Sequence, residues 1–350
     1  MTETVIESKK GTDKAALSRL HFDHTAPLLE VEGLRVEFHT RYGVAQAVNG
    51  VSFVLREGET LGILGESGCG KSVTAQAIMG ILDSPPAKVA GGSIKFRGVD
   101  LLKLDERTRR HVRQNKIAII FQDALSALNP VFTVGWQLGE VYRKHTNASR
   151  AQAKAKAVEL LEMVGIPGAK QRINSFPHQF SGGMRQRVMI AMALALEPDV
   201  IIADEPTTAL DVTVQAQVMR LLADLQKSMQ MGLILITHDM GVMADVADQL
   251  CVMYAGHAVE QANVYQVYER PAHPYTRALL ESIPRVDLKG QELKAIKGLP
   301  PVLTNPPPGC SFHPRCGFAR ERCKTDDPPL YDVTADRRSA CHYWEEVINS

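Results

Sequence analysis

The chain has 350 residues, 45% of them hydrophobic, and its forty basic and thirty-nine acidic side chains leave a formal charge of +1. That is enough for one large or two ordinary globular domains, and the near-neutral balance removes the overall electrostatic footprint of a nucleic-acid binder. No run approaches the roughly eighteen apolar residues of a membrane span, and residues 1–27 lack the apolar centre of a signal peptide, so a cytosolic chain is expected.

Residues 1–27 mix charges, Ser and Thr without periodicity and read as a mobile extension. Residues 28–38 and 47–56 alternate in strand fashion around Tyr42-Gly43, which predicts an antiparallel hairpin. A buried strand is expected at 60–64 and a helix at 73–79. Between them Gly65-Glu66-Ser67-Gly68-Cys69-Gly70-Lys71-Ser72 fits the pattern G-x-x-x-x-G-K-[ST] without a mismatch. After Ser84-Pro85-Pro86, residues 92–97 read as a strand, 105–114 as a charged helix and 116–122 as a buried strand. Residues 123–180 then change character, with helices predicted at 134–145 and 149–164, an inserted helical subdomain. Two apolar runs follow, one ending in Asp204-Glu205 and the other in His238-Asp239, and helices at 212–230 and 241–246 alternate with them. The order is that of an α/β fold with a mixed sheet core, whose ligands lie at the carboxyl ends of its parallel strands.

The residue types in the glycine-rich stretch match what a nucleotide requires. Glycines let backbone N–H groups turn towards phosphate oxygens and the next helix adds its positive end; Lys71 reaches the β- and γ-phosphates, and the Ser72 hydroxyl is a Mg²⁺ ligand. Asp204, after three apolar strand residues, is placed to hold Mg²⁺ through water, and Glu205 to polarise an attacking water. His238 ends a strand at the same level, where an ordinary strand-end histidine is the alternative. Ser181-Gly182-Gly183 open a helix expected at 187–196 and present backbone N–H groups to a second anion, which a chain with one phosphate loop does not need by itself.

From 261 to 350 the chain is proline-rich with little periodicity, so something other than a large core must hold it. Cys310, Cys316, Cys323 and Cys341 are separated by five, six and seventeen residues. Zinc, with His313 or His342 as further ligands, an iron–sulfur cluster and scattered free thiols are all compatible with that spacing. Cys69 and Cys251 lie in the phosphate loop and in an apolar strand at 250–254, and neither is expected to bind metal.

With the phosphate loop, Gln122 at a strand end, Ser181-Gly182-Gly183, Asp204-Glu205, Ala209-Leu210-Asp211 and His238 in this order, residues 28–260 resemble the ATP-binding subunits of ABC transporters. In that family the Ser-Gly-Gly signature closes over ATP held by the opposite subunit. The resemblance implies that Gln122 senses the γ-phosphate and Mg²⁺ and touches the membrane subunit, that Glu205 is the general base, that His238 contacts the γ-phosphate and that Asp211 communicates across the dimer. Tyr42 is either an adenine-stacking aromatic or an ordinary exposed turn tyrosine. The signature departs from the common L-S-G-G-Q at Phe180 and Met184, which leaves the backbone donors untouched.

The stretch 121–130, the run 181–194 and His273-Pro274-Tyr275 look like the dipeptide and oligopeptide importers, a similarity that extends over nearly the whole chain after residue 28. It implies two permeases, a second homologous ATP-binding subunit, a solute-binding protein, a place on the cytoplasmic face of the membrane, and a [4Fe-4S] cluster on Cys310, Cys316, Cys323 and Cys341. Those cysteines lie more than a hundred residues beyond Glu205, so the cluster is expected to pin the C-terminal segment and to stand apart from phosphate chemistry. Nickel importers share these motifs, and a soluble ABC ATPase is the remaining alternative.

Overall fold

A computed structural model describes residues 20–123, 127–208, 210–283 and 296–350. Most of the N-terminal extension, Ala124-Leu125-Ser126 of the 121–130 motif, Ala209, and 284–295 of the C-terminal segment lie outside the described residues. Two sheets organise the fold. In the first, β1 (Leu29–Thr40) and β2 (Gly43–Leu55) pair as the expected hairpin, and β4 (Ala87–Phe96) and β5 (Val99–Asp100) complete the order β2-β1-β4-β5. Leu29, Val31, Leu34 and Val36 face its core, and the register shifts between Val31 and Leu34, where Gly33 takes a left-handed φ of 56° that a side chain would disfavour. β4 begins five residues before the expected start because Ala87 already pairs with Phe38.

The second sheet runs β11-β12-β10-β9-β3-β8-β7-β6. Its members are β3 (Thr60–Leu64), β6 (Ile117–Ile120), β7 (Val200–Asp204), β8 (Gly232–Ile236), β9 (Gln249–Tyr254), β10 (His257–Asn263), β11 (Tyr331–Thr334) and β12 (Arg337–Ser339). The five strands β9, β3, β8, β7 and β6 are mutually parallel. Every residue of β3, β7 and β8 is buried, the signature of a sheet covered on both faces. Parallel strands put all their carboxyl ends on one edge, and that edge carries the site.

The covering helices are α1 (Lys71–Met79), α2 (Glu106–Lys116), α3 (Val134–His145), α4 (Arg150–Met163), α5 (Gly182–Leu194), α6 (Val212–Met229) and α7 (Met240–Val246). Their starts are capped by side chains wherever the sequence supplies one: Asp105 for α2, Thr133 for α3, a Ser149/Gln152 capping box for α4, Asp211 for α6 and Asp239 for α7. α5 begins at Gly182, five residues before the expected 187. Ser181 caps it by accepting from the Met184 N–H, so the two glycines form its first turn.

The C-terminal part differs most from expectation. It contains α8 (Val264–Glu269), α9 (Pro274–Glu281), α10 (Glu321–Thr325) and α11 (Trp344–Asn349), and β12 pairs with β10, so the segment extends the main sheet. Phe312 belongs to the same apolar core as β3 and β8, with its ring 5.2 Å from that of Tyr254 and 5.3 Å from that of Tyr275. Glu260, fully buried, accepts hydrogen bonds from the backbone N–H groups of Ala272 and His273 and from Arg337. Periodicity missed these elements because they are short and joined by single polar contacts. At the other end, residues 20–27 lie against the first sheet: Phe22 meets Phe96 edge-on at 5.4 Å, and the Asp23 N–H donates to the Arg97 carbonyl.

Candidate nucleotide site

The loop 65–72 joins β3 to α1. Gly65, Gly68 and Gly70 have φ of 153°, 80° and 106°. A Cβ on Gly65 would collide with the Met253 carbonyl, and one on Gly70 with the Ala47 carbonyl, so β9 and β2 press the loop into shape from outside. α1 has a left-handed Gly70 and no side chain at its N-cap, which leaves its first backbone N–H groups for a ligand. Ser67 and Gly68 are exposed at the tip, while Cys69 is buried beneath, where burial pushes its thiol up. Lys71 is only 4% exposed, and its Nζ donates to the carbonyls of Gly65 (2.8 Å) and Glu66 (3.0 Å).

Across the same edge the Ser72 hydroxyl donates to Asp204 Oδ1 at 2.9 Å. Burial at the end of β7 holds the Asp204 carboxyl above the ordinary aspartate range, and the Ser72 hydrogen bond acts against it. Glu205 turns out of β7 with a left-handed φ of 47°, its N–H donating to the Ile236 carbonyl of β8. That turn aims its carboxylate at the ends of the neighbouring strands. Oε2 accepts from Gln122 Nε2 at 3.0 Å, just beyond β6, and from the Thr208 hydroxyl at 3.0 Å, while His238 Nδ1, just beyond β8, lies 3.5 Å from Oε1. Four adjacent strand ends thus bring Lys71, Ser72, Asp204, Glu205, Gln122 and His238 together.

Ser181, Gly182 and Gly183 open α5 at the surface. A Cβ on Gly183 would strike Val214 of α6, so glycine there permits close approach to the helix that Asp211 caps. Tyr42, 76% exposed, sits at the β1–β2 turn with the Arg41 guanidinium 4.6 Å above its ring.

Sequence reasoning missed three contributors. Thr208 anchors Glu205, and Tyr275 and Arg315 hold Glu66 inside the phosphate loop: the Glu66 N–H donates to Tyr275 Oη at 2.8 Å, and Arg315 makes paired hydrogen bonds to its carboxylate at 2.6 and 2.9 Å. Glu66 is a variable position of the motif and Arg315 lies 249 residues away, so no local signal linked them. The separation between the C-terminal segment and the phosphate loop expected from sequence distance is therefore absent.

Cys310, Cys316, Cys323 and Cys341 line one narrow cavity with Phe312, Phe318 and Tyr343. The backbone N–H groups of Phe318 and Tyr343 donate to the sulfurs of Cys316 and Cys341. Burial pushes the Cys316 thiol up to about 11 and that of Cys341 to about 12. Among the described residues no group of three His, Cys, Asp or Glu side chains is arranged to hold a single metal ion.

A mixed sheet with an inserted helical layer and a phosphate loop at its carboxyl edge defines an ATP-binding cassette, and the comparisons agree. The ABC transporter family model matches residues 48–208, and the model of the oligopeptide/dipeptide transporter C-terminal region matches 259–323. The chain is 52% identical to the oligopeptide transport ATP-binding protein OppD of Bacillus subtilis, over 88% of this chain and 86% of that one. It is 53% identical to the dipeptide transport ATP-binding protein DppD of the same organism, over 83% and 86%. Among solved structures, the ADP- and Pi-bound dimer of the cassette MJ0796 overlays with a TM-score of 0.60 at 26% identity, over 67% of this chain and 98% of that one. The cbiO1 component of the Clostridium perfringens cbiONQ transporter gives 0.60 at 28%, over 69% and 90%. The chain belongs to the ATP-binding subunits of the oligopeptide and dipeptide ABC transporter family. It is an ATPase of the type that hydrolyses ATP to power transport.

Proposed function

We propose that this chain hydrolyses Mg-ATP to drive the import of dipeptides or oligopeptides, as one of two homologous ATPases docked on a pair of permeases supplied by a solute-binding protein. The observation that carries the chemistry is the Glu205 carboxylate, held by Gln122, Thr208 and His238 beside the Ser72–Asp204 pair. The backbone of 65–72 and Lys71 bind the phosphates; Glu205 takes the proton of the attacking water; His238 and Gln122 contact the γ-phosphate side. Ser72 and Asp204, with Gln122, are the residues that would hold Mg²⁺, which spreads the charge of the β- and γ-phosphates. Ser181, Gly182 and Gly183 face the ATP of the other subunit, Asp211 communicates across the dimer, and the exposed ring of Tyr42 is open to stack on adenine.

No described helix is long and apolar enough to cross a membrane, and attachment through the permeases gives a peripheral place on the inner membrane surface. Exposed Phe121, next to Gln122, and Val131, Phe132 and Trp136, at and just before the start of α3, suit that contact; the rings of Phe132 and Trp136 stack at 4.0 Å. The four cysteines are read as the ligands of a [4Fe-4S] cluster: they share one cavity, and backbone N–H groups donate to the sulfurs of Cys316 and Cys341, as hydrogen bonds to sulfur do at iron–sulfur sites.

The assembled complex in liposomes tests this reading. A peptide-loaded binding protein should stimulate ATP hydrolysis and peptide uptake, and Lys71→Ala should abolish both. Stimulation by nickel alone would move the cargo to the alternative class, and full, cargo-insensitive activity of the isolated chain would rule out the importer.

A further inference from the structure

Glu66 is gripped from outside the loop at both its backbone and its side chain. Tyr275 Oη accepts its N–H at 2.8 Å; Arg315 Nη1 and Nη2 meet its two carboxylate oxygens at 2.6 and 2.9 Å. The grip is itself braced. The Arg315 side chain is 4% exposed, its Nε donates to the Lys297 carbonyl and its Nη1 also donates to Tyr254 Oη, and the guanidinium lies about 6 Å over the rings of Tyr254 and Phe312. Tyr275 is fully buried in the same aromatic group. The His-Pro-Tyr stretch explains how it gets there: His273 Nδ1 accepts the Tyr275 N–H as cap of α9, Pro274 fixes its first turn, and the phenol is carried to the phosphate loop. On its inner side the Glu66 carbonyl accepts from Lys71 Nζ and from the Cys69 N–H.

We propose that Tyr275 and Arg315 are positioning residues for ATP binding, a latch by which the C-terminal segment sets the phosphate loop and neutralises the Glu66 carboxylate beside the polyphosphate. Two physical effects combine. Fixing the peptide units at 65 and 66 preorganises the loop, so ordering it is not charged against nucleotide binding. The paired guanidinium also cancels a negative charge that would otherwise repel ATP at short range. Both act on affinity and leave the hydrolytic groups around Glu205 in place, so the latch belongs to KM more than to kcat.

The proposal rests on the nucleotide reading of residues 65–72, and the experiment separates the two. Steady-state ATPase kinetics of the full complex are measured with Arg315→Ala, Arg315→Lys, Tyr275→Phe, Glu66→Gln and the double variant Glu66→Gln/Arg315→Ala, alongside hydrogen exchange at the Glu66 amide. Arg315→Ala should raise KM for Mg-ATP about tenfold, the worth of an unpaired charge-assisted contact, with kcat changed by less than about twofold. Arg315→Lys should fall between. Removing the stranded charge in the double variant should recover most of the lost affinity, a rescue that simple unfolding would not give. Tyr275→Phe deprives a part-buried N–H of its acceptor and should raise KM several-fold while speeding exchange at Glu66. If Arg315→Lys, Tyr275→Phe and the double variant all keep the parent's KM and the Glu66 amide exchanges at the parent's rate, the latch is wrong. If Arg315→Ala and the double variant are equally impaired, charge neutralisation is wrong. Normal ATP binding by Lys71→Ala would overturn the nucleotide reading itself.

Discussion

The strands whose carboxyl edge carries Asp204 and Glu205 and the segment that braces that edge from behind are held together by opposite means. After Thr60 at the start of β3, the strands β3, β7 and β8 bury no polar side chain until Asp204 ends β7, and their polar chemistry begins where the strands stop. Past Asn263 the buried residues are polar as well as apolar: Thr276 is fully buried, and His273, Arg337 and Ser339 join Glu260 inside, bonded to backbone carbonyls and amides or to Glu260 itself. Hydrophobic burial is non-directional and tolerates small changes, whereas a buried ion pair that loses one partner strands the other, a loss worth about 3–5 kcal/mol. The core therefore sets the fold, and the polar segment fixes one arrangement against it. The ATP-binding half lends its edge to function and depends on its neighbour for the shape of one loop.

The largest effect should fall wholly on the core. Glu205→Gln keeps the hydrogen bonds that hold the side chain but removes the base, so turnover should fall by about 10² to 10⁴ with Mg-ATP binding retained. Thermal stability and metal content should not move. Hydrolysis at the parent's rate would remove Glu205 from the chemistry.

The second effect should fall on the C-terminal segment and cross over. Cys341→Ser takes one ligand from the four-thiol cavity; the anaerobic parent should carry about four iron and four sulfide per chain and the variant close to none. Hydrogen exchange should rise across 310–342 and stay low in β3, β7 and β8. Because Cys316 directly follows Arg315, and the Cys310 N–H donates to the Cys323 carbonyl, the loss should also raise KM for ATP through the latch. A colourless parent with one zinc, or a metal-free parent whose 310–342 amides are protected, would sink the cluster.

The same contrast explains what could be read in the sequence. Short apolar runs located β3 before the phosphate loop, and β7 and β8 before Asp204-Glu205 and His238-Asp239, to within a residue or two, because burial on both faces leaves little other pattern. Glycine was the weak point in helix assignment, as at Gly182 and Gly183, where a single Ser181 cap outweighed low propensity. The pairing of Glu66 with Tyr275 and Arg315 was illegible for a different reason. Each is an unremarkable residue until folding supplies its partner, and neither composition nor period encodes a pairing across more than two hundred residues. His-Pro-Tyr stands out as a motif, yet its physical meaning, cap, helix start and phenol delivered to the loop, exists only in the folded chain.

The smallest effect tests the polar segment through pH. His273 is buried to 1% exposure, and burial pushes its imidazole down to about 3 from an ordinary value near 6.5. Between those values the unfolded chain binds a proton that the folded chain refuses, so this group's contribution is fully present above about pH 6.5 and is lost as the pH falls, by at most about 1.4 kcal/mol per pH unit. The neighbouring Glu260, whose carboxyl burial raises, titrates in the opposite sense, so the comparison must be with a variant that leaves it in place. His273→Asn serves, since asparagine retains a capping acceptor for the Tyr275 N–H and does not titrate. Urea midpoints at pH 7 and pH 5 should draw closer together in the variant than in the parent, while a change in a distant core residue such as Ile234 should shift both midpoints equally. An unchanged gap between the two pH values would mean that the His273 ring accepts a proton in the folded state, and that the buried, neutral cap assigned to it is wrong.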